Sequence, residues 1–197
     1  MLENMTKFSA DIDIDFADRE QVLKLIEHIP AAIHRQNEWT KHNTGVYVNP
    51  IPFDPFTKIA NIDYQQAEDL GYIKLDLLNV HVYSMVKNEA HLNQLIEKEP
   101  MWDMLAHREF VEQVIHIGNH YDLLQKQPEP VNSIARMAMF IALIRPGKRH
   151  LVGKTWREIS ETIWDKTDDA YSFKKSHSVA YAQLVSVHMN LLVQLPN

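Results

Sequence analysis

The chain contains no cysteine among its 197 residues, which excludes disulfides, thiol catalysis and cysteine-ligated zinc. Glycine is scarce as well: five in the whole chain leave few flexible hinges. No apolar run is long enough to span a bilayer. The start, MLENMTKFSA, has neither the basic flank nor the apolar stretch of a signal peptide. A cytoplasmic protein with no membrane partner is the expectation. Positive charge is in short supply, with 20 Lys and Arg against 26 Asp and Glu and a net charge of −6. That balance argues against strong DNA binding by bulk charge. It leaves room for a local basic patch, because charges are screened over about 10 Å. There is no internal repeat and no low-complexity linker.

What is present is a chain 45% hydrophobic, long enough for one packed core or a core with a subdomain. Asp18 is placed to cap a helix carrying Val22, Leu23, Leu25, Ile26 and Ile29 before Pro30. TGVYVNPIPFDPF predicts a short strand and then a proline-rich turn region. GYIKLDLLNVHVY begins as a strand after Gly71; periodicity does not decide where helix takes over beyond Asp76. From Asn88 onward the pattern is mostly helical. One helix stops at Pro100, and MWDMLAHREFVEQVIHIGNHYDLL repeats apolar residues at helical spacing. Ser133 precedes a helix that Arg145-Pro146-Gly147 ends. Thr155 and Glu158 fit a capping box, with Trp156, Ile159 and Ile163 on one face. A last helix spans about Ser176 to Val193. The fold class is α+β, a small N-terminal sheet followed by a predominantly helical remainder.

The chemistry-bearing stretch is ADIDIDF. Alternation along a strand puts Asp11, Asp13 and Asp15 on one face and Ile12, Ile14 and Phe16 on the other, toward a core. Neighbouring aspartates on that face sit roughly 6–7 Å apart. Close carboxylates raise one another's pKa unless a positive charge lies among them. A divalent cation meets that need, and hard oxygen ligands suit magnesium or manganese. Asp76, in IKLDLL, lies on a second apolar strand and is the candidate to complete the cluster. The plainer alternative is a solvated strand face balanced by Lys or Arg. His116 and His120 sit four apart, but Ile117 stands where a zincin needs glutamate, so surface or capping histidines are expected. Ser176 and Ser178 lack the strained elbow of a nucleophile. Trp102, Phe110, Trp156 and Trp164 read as core.

Five segments, in one order, resemble the catalytic subunit of bacterial replicative DNA polymerase III, a C-family polymerase. ADIDIDFADREQVLKLIEHI resembles that family's P-D-F-D-I-D-F segment and following helix, with Ala10 in place of proline. KHNTGVYVNPIP is similar to a shortened form of its H-A-x-G-V-V-I-x-P strand, and DLGYIKLDLLNVHVYSMV to its G-L-x-K-x-D-F-L-G-L segment. ARMAMFIALIRPG resembles its fingers helix ending in Arg-Pro-Gly, and SFKKSHSVAYAQLVSVHMNLL its F-N-K-S-H-x-x-A-Y helix.

The resemblance implies a reduced palm-like region over residues 1–87 and a fingers-like region over 88–197. It places Asp13, Asp15 and Asp76 on the three metal-binding catalytic aspartates, with Asp11 on a fourth, non-ligating one. It implies metal-assisted nucleotidyl transfer on a DNA primer-template with dNTP, using Mg2+ or Mn2+. Arg145, Lys148, Arg149, Lys174, Lys175 and His177 would bind nucleotide phosphates. The chain also departs from the family. The nine residues before Ala10 hold no glycine, so the family's Gly-Ser element has no counterpart. Lys174 replaces its asparagine, and there is no room for a thumb. These departures imply a protein partner supplying the missing parts, in a reduced gene of the kind a phage or mobile element carries. The alternative is a non-catalytic, polymerase-derived module that binds DNA or replication proteins.

Overall fold

The structure, a computed structural model, describes residues 12–165 and 173–194. Asp11 lies outside the described residues. The fold is α+β. The chain divides into two compact units, Met1–Met85 and Val86–Asn197. Among the described residues no helix is long and apolar enough to cross a membrane.

The first unit is built on a four-stranded mixed sheet: β1 (Ile12–Phe16), β2 (Ile29–Arg35), β3 (Glu38–Tyr47) and β4 (Leu75–Asn79), in the order β1-β4-β3-β2. β1 runs parallel to β4, while β3 pairs antiparallel with both β4 and β2. Helix α1 (Arg19–Leu23) follows β1, and α2 (Tyr64–Asp69) precedes β4. Asp18 caps α1 by accepting from the backbone N–H of Glu20 and Gln21. The helix is shorter than the apolar spacing predicts. It ends at Leu23, Leu25 is 85% exposed, and Ile29 already belongs to β2. Of the apolar residues after Leu23, Ile26 packs on the Leu23–Val46–Leu77 cluster and Ile29 enters the β2–β3 hairpin, an element the sequence reading missed. Gln36 and Asn37 turn that hairpin with positive φ of 51° and 65°. Two such residues in a row match the right-handed twist of the flanking strands.

One sheet face is apolar. Leu23, Val46 and Leu77 are buried there with Phe16, Ile26 and Leu75 packed against them. Ile12 and Ile14, expected toward a core, are each 38% exposed because β1 is the edge strand. β4 stays extended through Asn79 before the short 3₁₀ helix His81–Met85, so the change to helix comes later than Asp76.

The second unit is helical: α3 (Glu89–Glu97), α4 (Arg108–Val111), α5 (Tyr121–Leu124), α6 (Ile134–Leu143), α7 (Trp156–Thr162) and α8 (Lys175–Gln194). Ser133 caps α6, and Thr155 and Glu158 form the capping box of α7. Met137, Phe140 and Ile141 of α6, Ile159 and Ile163 around α7, and Val185 and Met189 of α8 share the core. Phe110 and Trp156 are buried in it, and Trp102 and Trp164 pack against it. Residues 101–124 are not one helix. Short turns of helix replace it: His107 is extended between two of them, and at His116 a φ of +65° is incompatible with a right-handed helix. Proline ends the Arg145 turn, where a 3₁₀ helix runs from Pro146 to Leu151.

One buried polar residue ties α8 to the end of α3. Asn190, 1% exposed, donates from Nδ2 to the carbonyls of Leu95 (3.0 Å) and Lys98 (2.8 Å). These accept where the last turn of α3 has no intrahelical donor. Asn190→Ala is expected to cost about 1–3 kcal/mol. The loss is measurable by urea denaturation, and amide exchange should speed up selectively in α3.

Candidate functional site

The parallel register of β1 and β4 sets Asp13 beside Asp76, and β3 sets Gly45 on the other side of Asp76. Register partners in a pleated sheet point to the same face, so Asp13, Asp76 and Gly45 form a row across three strands, with Asp15 one step along β1. This is the face opposite the Leu23–Val46–Leu77 core. The sequence reading placed Asp13, Asp15 and Asp76 together, and β1–β4 pairing brings them to one face.

Burial raises the Asp15 carboxyl above the usual range, and the Asp13 charge adds to the effect. Asp15 in turn raises the half-buried Tyr83 hydroxyl, after burial itself. Asp76 is 8% exposed and is held from several sides. Lys74, two residues earlier on β4 and hence on the same face, forms an ion pair with its Oδ2. Thr44 donates its hydroxyl to Oδ1 at 2.7 Å. The His42 ring lies 3.8 Å from the same oxygen.

The HNTG stretch of β3 has a local reason for its shape. The β2–β3 register is irregular here, passing from Ala32↔Lys41 to Pro30↔Val46. His42 Nδ1 accepts from the backbone N–H of Gly45 at 2.9 Å and of Thr44 at 3.3 Å. An accepting Nδ1 fixes the neutral ring, in line with a His42 pKa lowered by burial and by Lys74, against the opposing pull of Asp76. Gly45 leaves space for the lysine. A Cβ there would lie 2.7 Å from Lys74 Cδ and 3.0 Å from His42 Nδ1. His42, Thr44 and Lys74 are site residues that the sequence reading did not single out. The available signal was the i, i+2 spacing of Lys74 and Asp76 and the lone glycine in HNTG.

The metal expectation meets a specific obstacle. Among the described residues no group of three or more His, Asp or Glu is arranged to hold a metal ion. Lys74 already balances the Asp76 charge.

In the second unit the six expected phosphate-binding residues have different surroundings. Arg145 stacks on Phe173, its guanidinium carbon 4.1 Å from the ring centroid, and His177 meets the edge of the same ring at 6.1 Å. Lys174 and Arg149 are exposed. Lys175 is exposed and reaches over Trp164 at 5.9 Å. Lys148 is a correction to the sequence reading. It is 2% exposed, and its ammonium donates to the Thr162 carbonyl at 2.7 Å, joining the 146–151 turn to α7. A lysine so placed is a structural clamp rather than a surface contact for phosphate. His116 and His120 are not paired on one helix face, and neither is simply a surface residue. The His116 ring lies 4.3 Å from that of Tyr181, and burial with the nearby Arg145 charge pushes its pKa down to about 4. Burial, Arg149 and Arg145 lower His120.

Compared with known protein families, with curated proteins and with solved structures, the chain matches none.

Two outcomes test this geometry. Lys74→Met leaves the Asp76 carboxylate buried without its cation and should cost about 3 kcal/mol, read by chemical denaturation. Asp15→Asn should raise the melting temperature at pH 7, because an acid with a raised folded pKa destabilises the fold once ionised. The gain should shrink as the pH falls through the raised folded pKa toward 3.8, where wild-type Asp15 also becomes neutral.

Proposed function

We propose that the first unit is a palm-like nucleotidyltransferase module of the C-family polymerase type, with Asp13, Asp15 and Asp76 as its acidic centre. The observation that carries this reading is the register pairing of Asp13 with Asp76, with Asp15 on the same face. The five-segment resemblance supports it. The donor chemistry suits a hard divalent cation, since all three side chains offer carboxylate oxygens. Holding magnesium or manganese would require Asp13, Asp15 and Asp76 to close around the ion, since they are not so arranged without it. The bound metal would supply activation of a primer 3′-hydroxyl and charge neutralisation on the leaving pyrophosphate.

The chain's own residues have separate tasks. Thr44 orients Asp76 through its Oδ1. Lys74, paired with Asp76 at Oδ2, places a cation beside the centre, suited to triphosphate oxygens. In the fingers-like unit Arg145, Arg149, Lys174, Lys175 and His177 remain the candidates for nucleotide phosphate. DNA primer-template and dNTP are the substrates on this reading, with a protein partner helping to hold the duplex. A net charge of −6 disfavours unaided association with a polyanion.

The Lys74–Asp76 ion pair favours a second reading, a non-catalytic module that binds DNA or replication proteins. In it the lysine is the permanent counter-charge. Manganese titration separates the two. The catalytic reading expects paramagnetic broadening of β1 and β4 amides, lost in an Asp13→Asn, Asp15→Asn double variant. It also expects weak primer extension by the chain alone, rising with a cell extract and absent in the double variant. No broadening in β1 and β4, with DNA or protein binding equal in wild type and double variant, would establish the second reading.

A further inference from the structure

The far end of the β2–β3 hairpin carries a side-chain pair that neither the acidic face nor the core uses. Residues 34–41 are exposed along their whole length, so this part of the ribbon stands clear of the unit on both faces. A two-stranded ribbon of this kind buries little and is marginal by itself. Three features hold this one in shape. Gln36 and Asn37 set the turn. The Asp63 carboxylate accepts from the His34 backbone N–H at 2.8 Å. His34 and Trp39 face each other across the strands and stack, with ring centroids 4.6 Å apart and 25° between the planes. The His34 N–H is turned outward to Asp63, away from β3, so this is a non-hydrogen-bonded pair, where facing side chains stand closest.

Register sorts the neighbouring residues by face. Lys41, two residues from Trp39, shares its face with His34. Glu38, the one acidic residue of 33–41, lies on the opposite face, across from Arg35. The Trp39 face therefore offers two aromatic rings and a cation, with no carboxylate from the ribbon. Asp63, the acid beside it, already accepts from two backbone N–H groups, those of His34 and of Gln65 at 2.9 Å. Trp39 is 46% exposed although His34 covers one face of its indole, so the other face is open.

We propose that this ribbon binds single-stranded nucleic acid: a base stacks on the open face of Trp39, extending the His34–Trp39 stack by one ring, and Lys41 contacts the adjoining phosphate. Every base presents a π-face, so such a platform takes unpaired bases irrespective of sequence. A base within a duplex is already stacked on both sides and is hidden from it. A flat ring suits the open indole face better than an aliphatic side chain, because parallel rings meet over their whole area. A lysine two residues along suits the phosphate that follows each base. This site deepens the DNA-binding part of the function proposed above and rests on it, without involving Asp13, Asp15 or Asp76.

The test titrates the full chain with a short oligothymidylate and follows the 1H–15N signal of the Trp39 indole. The signal should shift saturably. Trp39→Val should weaken binding about tenfold, and Trp39→Tyr should keep most of it, since a tyrosine ring preserves the platform. Backbone amide signals of 33–41 show whether the ribbon is folded in each variant. An abasic oligomer of the same length carries the same phosphates and no bases. It should bind wild type about tenfold more weakly, which tests stacking without any variant. No movement of the Trp39 indole signal would overturn the proposal. So would equal binding of the abasic oligomer, which leaves charge alone as the attraction. Equal or tighter binding of a duplex of the same length would overturn it in favour of insertion into a groove. These readouts are separate from manganese broadening in β1 and β4, so failure of the platform and failure of the catalytic reading are told apart.

Discussion

The charge balance at Asp76 is the constraint around which the first unit is arranged. Pairing β1 beside β4 brings a second carboxylate, Asp13, next to one that is nearly buried. Burying a carboxylate is costly unless a cation and hydrogen-bond donors meet it. Lys74 supplies the first and Thr44 the second. The irregular stretch of β3 follows from the same need. It brings Thr44 to the carboxylate, and His42 takes up the two backbone donors that the irregularity would otherwise leave unpaired. Gly45 lies next to Asp76 in register, and its missing side chain is the space through which the lysine stem passes.

The second unit uses polar groups differently. Its hydrophobic core is centred on α6, and two of its buried polar side chains, Asn190 and Lys148, tie the ends of elements together. Asn190 holds the end of α3, Lys148 joins a 3₁₀ turn to α7, and Arg136 with Trp156 fixes the proline-containing segment before α6. Basic residues of one short stretch therefore have separate physical roles. Arg149 is exposed while its neighbour Lys148 is buried, although both follow the same Arg-Pro-Gly turn.

These two modes of charge handling bear on function. In the first unit, acidic side chains are gathered on one face and one of them is neutralised by a lysine. That arrangement suits either a centre where a hard cation and Lys74 share the acidic charge or a face whose charge is balanced for good. In the second unit, the aromatic ring of Phe173 gathers Arg145 and His177.

Much of this was legible in the order of residues. Strand alternation put Asp13 and Asp15 on one face, because side-chain parity is a property of the strand alone. Asp18, Ser133 and the Thr155–Glu158 box marked helix starts, because a cap acts over two or three residues. The long C-terminal helix was equally clear. Other features were decided by tertiary structure. The helical spacing after Asp18 gave way to β2, because the residues beyond Leu23 find hydrogen-bond partners in β3 that lie outside any local window. Apolar spacing over residues 101–124 did not show the left-handed turn at His116, since periodicity carries no backbone dihedral. Lys148 reads as a surface cation by composition, and only packing between the 146–151 turn and α7 buries it. The partnership of Asp13 with Asp76 joins residues far apart in sequence, and so does that of Asp76 with Thr44. Such pairings depend on which strands lie side by side, and that choice is made by the whole core rather than by any segment within it.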